Sequence, residues 1–549
     1  MPQDLTRRRT AASLLALALA ATTTVASTAV SPAQATSYDA LTRVLVTSTQ
    51  GAAAAADAVR AAGGRVLRQL TLVGGVSAEL PRDAVLAPSL RVVANTPLQV
   101  AQAPAMEGGV PVTVRQTVGL PAGPRAEGAG VTVAVVDTGV ADVPGLAGRL
   151  THVDATGEGI GDGFGHGTFV AGLVAGAGDA DGAYAGIAPG ARILDVRVAD
   201  DKGRTDLLTV LTGLELIDPA RVQVLNLSLS SGSELPYQID PLSQALETLW
   251  RRGVTVVVPA GNDGPDAGTV SAPGTDPVLL TVGGLDESGT AATSDDVVSD
   301  FSARGPAPQG VAKPDLVAPA SHLVSLRSPD STVDRSNKKS RVGEDYFRGS
   351  GTSFSTAVVS GAAAVLLAQR PMAPGQLKAL LTGTAYAAAG LRDRNGAGAG
   401  GLDLSAAANA AVPAAATEPT AEVPGDPQIW EAFVTALLDG DHKAAASSWS
   451  KLSPEARNWA ASSWSSLSPQ ARNWAASSWS GRNWADADGT AAEWDARNWA
   501  ARNWAARNWS ARNWSARNWS ARNWSDSDWS ARNWSARNWS ARNWSGGWN

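Results

Sequence analysis

From Gly130 to about Ala411 the chain alternates short, almost unbroken apolar runs with Ala-rich stretches. The apolar runs cover residues 131–136, 193–198, 222–229, 254–259 and 278–282. A strand that is apolar on both sides must be buried on both faces, and strands separated by helices return in parallel. This pattern predicts an α/β domain of three layers, with a mostly parallel sheet between helices. The last long helix is expected to begin near Ser353 and to continue through residues 359–369.

The 549-residue chain is too long for that domain alone. Ahead of it, residues 42–48 read as a strand and 52–62 as a helix closed by Gly63-Gly64. Residues 65–80 read as a hairpin broken at Gly74-Gly75, 81–86 as a short helix and 91–100 as a strand. The order β-α-β-β-α-β predicts a small ferredoxin-like α+β unit. Residues 1–35 have the features of an export signal: Arg7-Arg8-Arg9, a small and apolar stretch over 11–30, then Ala33-Gln34-Ala35. A membrane anchor is the alternative, and the Thr/Ser content of 22–31 weighs against it. The arginine run would also suit a twin-arginine route, so the route stays open. The expected divisions are 1–35 signal, 36–105 small unit, 106–410 α/β domain, 411–427 Pro/Ala/Glu linker, 428–448 short helical segment and 449–549 repeats.

Eighteen of the twenty Trp lie between Trp449 and Trp548, in a pentapeptide array of the form Ala-Arg-Asn-Trp-Ser. A step of five lines neither one helix face nor one strand face. From 445 to 549 thirteen basic and seven acidic residues leave a net +6, against −6 for the whole chain. Arg beside Trp permits cation–π contacts. The array reads as a tail for anionic or carbohydrate cell-envelope material, as a self-associating tail, or as a low-complexity extension without a ligand. The absence of Cys excludes disulfides, thiolate catalysis and Cys-based zinc sites. The net negative charge argues against nucleic acid as a partner.

Three segments carry chemistry. A buried strand runs into Asp137-Thr138-Gly139, a carboxylate at a tight turn. Gly165-His166-Gly167 opens an Ala/Val-rich helix, HGTFVAG. Ser350-Gly351-Thr352-Ser353 enters a small-residue helix, where N–H groups and the helix dipole favour negative charge near Ser353. Singly, these read as a strand-end Asp, a helix-capping His and a Ser N-cap. Together they supply a nucleophile, its base and the group that orients the base.

The motifs DTG, HGTFVAG and GTSFSTA, in the order Asp…His…Ser, resemble the subtilisin-like (subtilase) serine proteases over about residues 110–410. The resemblance implies a secreted serine endopeptidase with Asp137, His166 and Ser353 as catalytic triad, acting on polypeptides through an acyl-enzyme. It implies Asn262, in Ala260-Gly261-Asn262, as the oxyanion-hole donor. It implies Leu227, Ser228, Leu229 and Ser230 as the substrate-binding edge. Asp300 to Pro306 and Lys313 to Pro319 match structural segments of the family, while Ala357 stands where the family usually has Pro. The 36–105 unit is similar to the family's propeptide, an inhibitor and folding aid, which implies self-cleavage near residues 98–110. The charged loop 327–348 would shape or partly cover the cleft.

No cofactor is expected for this chemistry and no metal ligand is assigned. Structural calcium is common in the family, but no carboxylate spacing selects ligands, and Asp162, Asp179 and Asp181 read as solvated loop charge. Two rivals to the endopeptidase remain: a non-enzymatic surface adhesin on the same fold, and a protease that acts on its own propeptide alone. The intact triad with Asn262 favours the enzyme.

Overall fold

The computed structural model describes residues 41–100 except 83 and 88, 114–120, 127–414 except 181, 232, 234 and 308–310, then 429–430, 432–433, 436 and 442–452. The expected signal, most of the linker and the array from 453 onward lie outside the described residues.

The predicted apolar runs form the central sheet. Its strands lie in the order Val297–Val298, Leu280–Asp286, Thr255–Pro259, Val224–Leu227, Thr132–Asp137, Arg192–Arg197, Leu150–Asp154, and Leu316–Pro319 also pairs with Leu280–Asp286. Val297–Val298 runs antiparallel to Leu280–Asp286, and the other pairs are parallel. Leu150–Asp154 escaped the sequence reading because LTHVD carries three polar side chains on an edge strand. Helices His166–Ala175 and Thr352–Gln369 pack on each other and on the sheet, and Leu207–Glu215 and Pro241–Arg251 make a second such pair. Thr352–Gln369 is long and apolar enough to cross a membrane, yet 83% of it is buried inside the domain, as befits a core helix.

The chain order sets the location of the site. From Thr132–Asp137 the sheet grows first toward Arg192–Arg197 and Leu150–Asp154, then reverses toward Val224–Leu227 and beyond. Such a reversal leaves a crevice at the carboxyl ends of the two central strands. Asp137 closes one of these strands and Leu227 the other.

The small unit has strands in the order Arg65–Leu70, Gly75–Pro81, Leu41–Ser48, Leu90–Ala94, with helix Ala52–Ala61 packed on it. The helix expected at 81–86 is not formed. A single turn forms, with Ala84 N donating to Pro81 O at 3.0 Å, and it does not continue as a helix; a proline at 88 disfavours helical backbone in the residue before it. Val85 is left 89% exposed there. The expected strand 91–100 is divided: Leu90–Ala94 stays in this sheet, while Pro97–Val100 leaves it.

The loop 327–348 is ordered and lies against the segment before His166, with Thr332 N and Val333 N donating to Gly163 O and Phe164 O. It folds into helix Thr332–Ser336 and a small sheet of Leu323–Leu326, Tyr346–Gly349 and Arg341–Val342. Three of its charges pair: Arg327 and Arg341 hold Asp334 at 2.9 and 2.7 Å. Burial alone would raise that carboxyl, but the bonds from Arg341 and Arg327 outweigh it and hold it below the usual range.

Beyond the linker, helix His442–Lys451 crosses the expected boundary at 448/449, so the first Trp of the array belongs to a helix. The Trp449 ring meets Phe433 at 5.0 Å, and Phe433 meets Trp430 at 6.2 Å.

Candidate active site

Asp137 ends its strand fully buried. His166 is the first residue of helix His166–Ala175, preceded by Gly165 at φ 105°. A Cβ on Gly165 would lie 2.4 Å from Ser331 Oγ, so both conformation and space require glycine. His166 Nδ1 lies 2.8 Å from Asp137 Oδ1 and 3.0 Å from Oδ2. The Nδ1–H therefore donates to the carboxylate, and Nε2 is the face available to take a proton. That Nε2 is buried and makes no hydrogen bond among the described residues.

Ser353 is the second residue of helix Thr352–Gln369, inside the first turn whose N–H groups lack partners within the helix. No hydrogen bond joins it to His166 Nε2 here. In enzymes of this kind that bond often tightens only with substrate in place. Ser353 is tied to the sheet from behind. Ser228 Oγ donates to its carbonyl at 3.5 Å, Asn226 Nδ2 donates to Ser228 Oγ at 2.8 Å, and Ser360 Oγ donates to Asn226 Oδ1 at 3.0 Å.

Asn262 lies beside the same helix start. Its Oδ1 accepts from Thr352 N and Thr352 Oγ1, both at 2.9 Å. Two donors on the oxygen fix the amide's orientation and leave Nδ2 as the outward donor. Nδ2 is buried without a partner among the described residues. A donor held in this way beside the Ser353 N–H can stabilise negative charge that develops on an oxygen between them.

The four edge residues divide. Leu227 closes the central strand, pairs with Val136 and is fully buried, so it belongs to the core rather than to the edge. Ser228 backs Ser353. Leu229 and Ser230 form the edge, and it is paired with the small unit: Leu229↔Val100 and Ser230↔Gln99, antiparallel. The strand Pro97–Val100 pairs on its other side with Arg204–Asp206. Leu98 and Val100, on alternate positions, are both buried.

Sequence reasoning missed Asp162. It is buried rather than solvated, and its carboxylate accepts four hydrogen bonds. Thr138 Oγ1 and Gly165 N donate to Oδ1 at 2.8 and 2.6 Å; Thr168 N and Thr168 Oγ1 donate to Oδ2 at 2.8 and 2.6 Å. Asp162 thereby joins the turn after Asp137 to the start of the His166 helix. Burial pushes its carboxyl above the ordinary range even though all four bonds pull the other way. Asp179 accepts from Ala183 N in a surface turn, and Asp181 lies outside the described residues. Among the described residues no three His, Asp or Glu side chains are grouped to hold a metal ion.

A second pair, His152 Nδ1 with Asp195 Oδ2 at 2.8 Å, spans two neighbouring strands. Burial raises Asp195 to about 6, and the bond to Asp195 raises His152.

The sequence profile described as the Subtilase family matches residues 128–400. The serine protease AprX of Bacillus subtilis is 42% identical over 270 residues, which cover 46% of this chain and 61% of AprX. Subtilisin Savinase of Lederbergia lenta is 34% identical over 245 residues, 44% of this chain and 78% of that protein. The crystal structure of fervidolysin from Fervidobacterium pennivorans, described as a keratinolytic enzyme related to subtilisin, aligns with a TM-score of 0.55. It is 26% identical and covers 68% of this chain and 61% of that one. The sheet reversal, the Asp137–His166 pair, Ser353 at its helix start and Asn262 beside it all lie within or between these matched segments, and the chain belongs to the subtilase family.

Proposed function

We propose that this protein is a secreted serine endopeptidase, made as a precursor that its own small unit inhibits. In the proposed reaction the Ser353 Oγ proton passes to His166 Nε2 as Oγ bonds to the substrate carbonyl carbon. Asp137 holds the imidazole and steadies the imidazolium. The carbonyl oxygen, now negative, is met by Asn262 Nδ2 and the Ser353 N–H. His166 then returns the proton to the leaving amine, and water releases the acyl group from Ser353 by the same steps. The protein's own side chains suffice for this chemistry, with no cofactor; structural calcium stays open.

The observation that carries the reading is the strand Pro97–Val100. It lies between Leu229–Ser230 and Arg204–Asp206 as an extended peptide does when it adds to an open sheet edge. A polypeptide substrate is proposed to take the same path, so the small unit would be competitive with it. The register Ser230↔Gln99 and Leu229↔Val100 runs the strand toward Ser228, which contacts Ser353, and supports a cut shortly after Val100. We therefore put the self-cleavage just beyond Val100, within the expected 98–110. Docking is supported by Thr71 Oγ1 and Leu72 N, which donate to Glu215, and by Thr248 Oγ1, which donates to Leu72 O at 3.0 Å.

Export is supported by residues 1–35. The net +6, Trp-rich tail supports contact with anionic or carbohydrate envelope material. The test is a fluorophosphonate probe on the secreted protein, with N-terminal sequencing. Labelling that Ser353→Ala abolishes, and a mature terminus between 101 and 110, are expected. A folded, processed wild type that takes no label would refute the enzyme.

A further inference from the structure

The imidazole of His166 has an aromatic neighbour as well as an acid. The Phe354 ring stacks on it, with centroids 5.5 Å apart and planes inclined by 29°. Phe354 follows Ser353 directly, and its ring is in turn met by Phe169 at 4.3 Å. Phe169 lies three residues after His166 on the same helix, so the two helices that carry nucleophile and base are joined through this pair of rings. Both rings are buried, at 8% and 4% exposure.

The space for them is kept by Gly349, the last residue of strand Tyr346–Gly349. A Cβ there would come within 2.8 Å of Phe354 Cε2, 3.3 Å of Phe354 Cζ and 3.5 Å of Phe169 Cζ. The glycine sits in a paired strand, Leu323↔Gly349, so it serves the rings rather than a turn. Any side chain would displace the Phe354 ring from this position.

We propose that Phe354 is a positioning residue for the catalytic imidazole, acting through His166 and resting on the serine-protease reading above. The ring fixes the imidazole plane while Nδ1 stays on Asp137, so that Nε2 keeps its direction. It also offers a π-face to the ring that becomes cationic when Ser353 gives up its proton, an attraction that grows in the transition state. Phe169 and Gly349 hold Phe354 in place.

The test uses the full secreted chain and steady-state hydrolysis of a peptide substrate. Phe354→Leu keeps apolar bulk and removes the ring; kcat is expected to fall roughly tenfold with KM within about twofold. Phe354→Tyr keeps the ring and is expected to stay within about threefold of wild type. Gly349→Ala substitutes neither His166 nor Ser353 and is expected to lower kcat like the Leu variant, with some loss of melting temperature from the crowding but a folded protein. Wild-type kcat in Phe354→Leu, or a Tyr variant as slow as the Leu variant, would overturn the proposal while the protease reading stood. A wild type that cleaves nothing would overturn both.

Discussion

Removing the Asp162 carboxylate should disable the site without touching any reacting atom. In Asp162→Ala the donors Gly165 N and Thr168 N lose their only side-chain acceptor, while the hydroxyls of Thr138 and Thr168 can turn to other partners. Thr138 Oγ1 already accepts from Gly167 N at 3.0 Å, and Thr168 Oγ1 from Ala141 N at 2.9 Å. Two buried, unpaired N–H groups cost about 1–3 kcal/mol each. Part of this is offset because the buried carboxylate, whose desolvation raises it, is gone too. A net loss of about 3 kcal/mol follows, which lowers the melting temperature but leaves a folded protein. The larger effect is on rate. With the four-bond link through Asp162 gone, the Asp137 turn and the His166 helix are held by fewer bonds, those of Thr138 and Thr168, and a shift of about 1 Å between them would cost about a hundredfold. Asp162→Asn keeps the two bonds to Oδ1 and faces Thr168 N with another donor, so it should fall between. Steady-state kinetics and thermal denaturation on both variants decide the matter. Loss of kcat in the order Ala, Asn, wild type is expected, with KM little changed. Wild-type kcat in a destabilised Asp162→Ala would refute the argument, because the carboxylate would then serve folding alone.

Asn262→Ala removes the orphaned Nδ2 donor and should lower kcat by about 10²–10³-fold with KM nearly constant, measured on the same peptide substrate. Burial raises Glu287 to about 8 from 4.5. Its stabilising contribution is therefore complete below about pH 4.5 and is lost as pH rises through about 8. Denaturant unfolding from pH 5 to 9 should show that loss in wild type, on the order of 4 kcal/mol, and a flatter profile in Glu287→Gln. In the Ser353→Ala chain, Glu215→Ala removes the acceptor of Thr71 and Leu72; limited trypsin digestion should release the small unit roughly tenfold faster.

The sequence disclosed what is set locally. Runs such as 131–136 and 254–259 have to be buried strands whatever surrounds them, and they are. Gly165 before His166 and Gly351 before the Ser353 helix mark sharp entries into helices, with φ at 105° and 150°. What stayed hidden depends on partners far along the chain. Asp162 read as loop charge because Thr138, Gly165 and Thr168 converge on it only after folding. The order within loop 327–348 stayed hidden because the pairing of Arg327 and Arg341 with Asp334 is invisible as a string of charges. Leu227 read as edge because nothing local separates the last residue of a buried strand from the first of an exposed one. The helix expected at 81–86 failed beside a proline that was in plain view.

The same distinction explains why the triad could be read at all. Asp137, His166 and Ser353 lie on three elements, yet each sits where an element starts or ends, and starts and ends are written locally. The sheet does the rest: its reversal beside Thr132–Asp137 leaves one crevice, and the ends of the two strands that flank it are Asp137 and the Leu227–Ser228 step behind Ser353. Chemistry carried by element ends survives the passage from sequence to structure. Support carried by element interiors and distant loops, as with Phe169 and Asp162, does not, because there the residue type fits many roles and only the neighbours choose between them.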